Sequence, residues 1–98
     1  MAKLVRDRIP EIIKEKTGKE PKITIATDAE FSERLKEKLQ EEGNEFLADE
    51  NKDEIADILE VLDAWIEFKG INKNSILELQ RKKRKERGGF SKRYIWEK

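Results

Sequence analysis

The chain has 98 residues, no net charge, 45% Asp, Glu, Lys or Arg, no cysteine and no histidine. Those absences exclude a disulfide framework, a thiolate metal site and imidazole chemistry, so carboxylates, lysines and arginines must carry any reaction. Leu, Ile, Val and Phe supply 25 of the 98 residues, enough for one folded domain over residues 1–98 but a small core among so many charges. The expectation is an all-α fold of helices with solvated faces, with burial shared between copies in a homo-oligomer.

In chain order, MAKLVRDRIPEII lacks the apolar core of a signal peptide, and no stretch approaches the roughly 20 apolar residues of a membrane span. A cytoplasmic protein without a membrane segment is the default. Ile9, Ile12 and Ile13, with Pro10 in a first turn, predict a short helix that stops near Gly18. KITIAT, residues 22–27, alternates like a strand, but a single such segment cannot build a sheet, so it is read as an extended connector. Thr27 with Glu30 three residues later is a capping-box pattern opening a helix to about Asp49. Asn51 with Glu54 repeats the signal and opens a second long helix that Gly70 ends. A third runs from about Asn72 to Gly88-Gly89, and FSKRYIWEK after it is extended. The two long helices are expected to pair antiparallel, with shorter helices completing a bundle.

The zero net charge conceals a division. Asp28 to Glu67 holds fifteen acidic and four basic residues, whereas Arg81 to Lys98 holds nine basic and two acidic. Within the acidic half, placement matters more than number. On a helical wheel with Leu39 at zero, Leu35, Phe46 and Phe31 fall between about −20° and −80°, and Glu42 falls inside that stripe at about −60°. Glu45 lies on its edge and Glu41 points to the other side. The next helix repeats the pattern: with Ile58 at zero, Val61, Trp65 and Ile55 mark the apolar side, Glu54 lies at about −40° and Asp57 borders the stripe at about −100°. A hairpin of these helices therefore brings Glu42, Glu45, Glu54 and Asp57 together.

Four ionised carboxylates in one partly dry place repel, and each resists leaving water. A divalent cation with oxygen ligands offsets both costs, and carboxylates three residues apart on facing helices are a known way to hold one in a bundle. Without His or Cys such a site favours Mg²⁺ or Mn²⁺ over Zn²⁺. The competing reading turns Glu42 and Glu54 out to solvent, or pairs them with Lys38 and Lys52.

Glu42-x-x-Glu45 followed by Glu54-x-x-Asp57 resembles the metal-binding pattern of the all-α nucleoside triphosphate pyrophosphohydrolases, the MazG-like and phosphoribosyl-ATP pyrophosphohydrolase-like group. KLVRDRIPEII, DEIADILEVLDAW and KRKERGGF extend the resemblance over nearly the whole chain. It implies a helical bundle, assembled as a dimer or tetramer, that uses Mg²⁺ to cleave a nucleoside triphosphate between its α and β phosphates. Phosphoribosyl-ATP is the alternative substrate. The four carboxylates would be the metal ligands and Glu41 an outer-shell base. EEGNEF departs from the pattern at Gly43 and Asn44, where relatives more often carry residues such as Val and Glu, which weakens the helix locally and leaves the ligands intact.

On the third helix, Lys83 and Arg87 prolong the line of Ile76 and Leu79. Like charges four residues apart repel, and an anion between them relieves this, so Lys83, Arg84 and Arg87 are assigned to the triphosphate. The competing reading is a solvated helix end. Arg6, Asp7 and Arg8 are assigned to structural ion pairs, with a neighbouring subunit's site as the alternative. Trp65 and Phe68 are assigned to packing, while Phe90, Tyr94 and Trp96 either cover the nucleotide or line an interface. Two other classes stand beside the enzyme. A nucleic-acid-binding module would use the basic RKKRKER run, though the acidic middle would repel the same partner, and a helical adaptor would ignore divalent ions.

Overall fold

The computed structural model describes residues 2–97. Among them the backbone forms four α-helices and no strand: α1, Ile9–Thr17; α2, Asp28–Ala48; α3, Lys52–Phe68; and α4, Lys73–Arg87. The chain divides into two compact units, Met1–Trp65 and Ile66–Lys98. No described helix is long and apolar enough to cross a membrane.

Local chemistry accounts for each boundary. Pro10 sits in the first turn of α1, where its missing N–H is no loss, and Gly18 closes the helix at φ 72° with its N–H on the Lys14 carbonyl at 2.8 Å. Residues 20–27 follow without helix or strand, with Ile25 almost fully exposed, and no second segment pairs with them among the described residues. The capping box at the start of α2 is complete: the Glu30 N–H donates to Thr27 Oγ1 at 3.2 Å and the Thr27 N–H to Glu30 Oε1 at 3.0 Å. The backbone N–H of Thr27, then its hydroxyl, holds the Glu30 carboxyl below its usual range, with Arg34 adding a smaller favourable charge. Only residues 49–51 separate α2 from α3, and Asn51 Oδ1 accepts the Glu54 N–H at 3.1 Å. In the second unit, Asn72 caps α4 through the Asn74 N–H at 2.9 Å, and Gly88 ends it at φ 83°. The tail beyond is exposed at Phe90, Tyr94 and Trp96.

Packing keeps the wheel's stripe on α2 and narrows it on α3. Among the described residues only Leu35 and Val61 are buried apolar side chains, and the third buried residue is Glu42, 6% exposed. Leu39, the zero of the wheel, is 40% exposed, while Leu35, Phe31 and Phe46 are buried or half-buried. The inward direction of α2 therefore lies some 50° from Leu39, close to Glu42 itself. On α3 it lies near Val61, between Glu54 and Asp57, while Ile55, Leu59 and Leu62 form a second, exposed apolar row. Trp65, assigned to packing, is likewise only partly covered. On α2 the buried direction is the one the wheel gives, whereas on α3 counting apolar positions averaged two rows into one and included the exposed Ile55.

Candidate metal centre

Glu42 and Glu45 stand one turn apart on α2, and Glu54 and Asp57 one turn apart on α3. One carboxylate oxygen from each of the four lies within 4.8 Å of the others. The short connection and the Asn51 cap produce this register, because the cap sets where α3 begins and so which residues face back toward α2. Glu54 also occupies the first turn of α3, where the free N–H groups favour a negative charge.

The partners of these oxygens differ. Lys38 Nζ lies 3.2 Å from Glu42 Oε1 and 3.3 Å from Glu41 Oε2, and Arg6 Nη2 donates to Asp57 Oδ1 at 2.8 Å. Glu42 Oε2 and Glu54 Oε2 are buried without a hydrogen-bond partner. Buried carboxylate oxygens are nearly always satisfied, so two orphans inside one cluster mark a position for a positively charged group. Four carboxylates against Lys38 and Arg6 leave two negative charges uncompensated, which is what one divalent cation carries.

Titration behaviour agrees with the geometry. A hydrogen bond to Glu42 first, then the Glu42 charge, with burial and the charges of Glu54 and Glu41 behind them, raise the Glu45 carboxyl above its usual range. Protons and metal ions thus compete for the same oxygens. For Lys38, burial pulls the ammonium down, but hydrogen bonds to Glu42 and Glu41 and their charges outweigh it, and the net direction is upward.

Glu41 lies outside the four. Lys38 and Lys3 hold its carboxylate, Lys3 at 3.6 Å, so it turns toward the lysine that also serves Glu42 rather than to the far side of the helix. Lys83, Arg84 and Arg87 lie exposed on α4, in the second unit. Two residues that sequence reasoning left in lesser roles belong to the site's immediate surroundings. Lys38 was legible as a partner four residues before Glu42, whereas Arg6 is 51 residues from Asp57 and carries no local signal. Comparison of the chain with family models, with curated proteins and with solved structures finds no match. The candidate site stands on its own geometry.

Proposed function

We propose that the chain is a divalent-cation-dependent nucleoside triphosphate pyrophosphohydrolase, cleaving the α–β phosphoanhydride of a nucleotide to give a monophosphate and pyrophosphate. The observation that carries the reading is the pair of unpartnered buried oxygens, Glu42 Oε2 and Glu54 Oε2, inside a set of four converging carboxylates. The resemblance of Glu42-x-x-Glu45 and Glu54-x-x-Asp57 to the MazG-like group supplies the reaction class.

The donor set fits a hard cation, Mg²⁺ or Mn²⁺, held by Glu42, Glu45, Glu54 and Asp57. When bound, such an ion supplies positive charge that neutralises phosphate oxygens and lowers the pKa of water. The chain's own residues do the rest. Lys38 anchors Glu42 through Oε1 and leaves the buried Oε2 without a partner, and the Asn51 cap holds the first turn of α3 so that Glu54 stays in register. Glu41, pinned by Lys38, which also serves Glu42, and by Lys3, serves as an outer base. Lys83, Arg84 and Arg87 are assigned to the triphosphate.

The reading includes an antiparallel α2–α3 pair and an assembly of two or four copies. What supports assembly is the exposed row of Ile55, Leu59 and Leu62 beside a core whose buried apolar members, among the described residues, are Leu35 and Val61.

The test is pyrophosphate release from a panel of nucleoside triphosphates and phosphoribosyl-ATP in Mg²⁺. Glu42→Gln and Asp57→Asn should abolish turnover while leaving the helical circular dichroism intact. Undiminished turnover in both variants removes the carboxylates from the chemistry.

A further inference from the structure

A metal centre of this kind handles a ligand with two ends, a cation among carboxylates and the anion that the cation accompanies. The anion needs its own donors, and those assigned from sequence lie in the second unit. Within the first unit a cavity of about 490 Å³ has walls drawn largely from residues 2–7 and 21–26. Its charged lining is Lys3, Arg6, Lys22 and Arg34 against Asp7 and Glu30, an excess of two positive charges. Its size suits a small organic ligand.

The cavity adjoins the carboxylates through its own wall. Arg6 lines it and pairs with Asp57 at 2.8 Å, and Lys3 lines it and pairs with Glu41 at 3.6 Å. The other cations are placed less well. Arg34 is committed to the Ala2 carbonyl at 3.3 Å and to Glu37 at 3.0 Å, and Lys22 makes no contact with any of the four carboxylates. Arg6 donates one hydrogen bond, to Asp57, out of five N–H groups, and about half of its side chain is exposed. An exposed pair of that kind adds little to stability, so a purely structural role leaves most of the guanidinium unused. A planar fork beside a cation site is suited to a phosphate that bridges the two.

We propose that Arg6 is a further anion-binding residue of this site, taking a phosphate oxygen of a metal-complexed phosphoanhydride, with the remainder of that ligand in the adjoining cavity. This rests on the carboxylate set being a cation site. It assigns Arg6 a contact with substrate while Asp57 orients it, and it makes the N-terminal segment part of the binding surface.

The experiment uses the full chain with Arg6→Ala and Arg6→Lys, and two probes. Mn²⁺ alone, followed by the electron paramagnetic resonance of the free ion, reads the carboxylates. Inorganic pyrophosphate in saturating Mg²⁺, followed by titration calorimetry, reads the anion. Arg6→Ala is expected to bind Mn²⁺ as tightly as the parent or more tightly, because a competing cation has left Asp57. Its pyrophosphate affinity should fall about 10- to 100-fold, the value of one or two charge-assisted hydrogen bonds. Arg6→Lys, which keeps charge without the fork, should lose less. Unchanged pyrophosphate affinity in Arg6→Ala with Mn²⁺ binding intact overturns the role of Arg6 alone. Failure of the parent to bind Mn²⁺ overturns the cation site and this role with it. A loss of helicity in both variants makes Arg6 structural and also overturns it.

Discussion

Replacing Glu42 with glutamine should make the metal-free protein more stable. In the parent, a residue 6% exposed carries a carboxylate whose Oε2 has no partner. Leaving a buried acceptor unsatisfied costs about 1–3 kcal/mol. A second carboxylate, Glu54, has an oxygen within 4.8 Å. At an effective dielectric of about 20, two unit charges at that distance repel by about 3.5 kcal/mol, and closer ones by more, and Lys38 and Arg6 offset part of it. The amide removes the charge, keeps an oxygen for Lys38 and offers two N–H donors to the neighbouring carboxylates, and Lys38 retains Glu41 at 3.3 Å. The net gain is about 1–3 kcal/mol, or roughly 5–15 °C in the melting temperature of a chain this size. The assay is thermal unfolding in chelator and then in rising Mg²⁺ or Mn²⁺. The parent should gain with ion concentration, by about 2.7 kcal/mol at a hundred times its Kd, and the variant should not, so the two curves cross. Leu35→Ala is the control for an ordinary core position, with an expected loss of about 2–5 kcal/mol under all conditions. A Glu42→Gln protein that melts below the parent in chelator, as Leu35→Ala should, refutes the claim that this carboxylate is held against its own preference.

Two further outcomes are expected. A Cβ added at Gly43 would meet nothing within 4 Å, and its φ lies outside the left-handed region, so Gly43→Ala should raise stability by about 0.5–1 kcal/mol, read from the midpoint of urea unfolding, and leave Mn²⁺ binding unchanged. Glu30, held below its usual value of 4.5 by the capping box, supports the fold most above that value, and its contribution is lost as pH falls through the lowered one, because the unfolded chain takes up the proton first. The difference in melting temperature between parent and Glu30→Gln should therefore be largest near neutral pH and shrink on acidification below about 4.5; a difference that grows on acidification contradicts the cap assignment.

Helix existence and helix ends were legible in sequence because their causes are local. The Thr27–Glu30 box, the Asn51 and Asn72 caps and the glycines at 18, 70 and 88 each act within a turn of where they stand. The spacing of Glu42, Glu45, Glu54 and Asp57 was equally local, and a short connection between two helices converts that spacing into a meeting of side chains. The buried stripe of α2 was legible too, but the width of that on α3 was not. Ile55, Leu59 and Leu62 count toward an apolar face in any sequence average, but the chain leaves them exposed and turns the neighbouring direction, through Val61, inward.

Sequence by itself determined that four carboxylates stand at helical spacing on two adjoining helices and that neither cysteine nor histidine is present to share their work. Tertiary structure alone decided that Arg6 answers Asp57, and which two oxygens go unanswered. Periodicity reports the direction in which a side chain leaves its own helix. Whether that direction ends at water, a guanidinium or another carboxylate depends on segments as much as 51 residues away, and chain closure over that distance leaves no trace in local spacing.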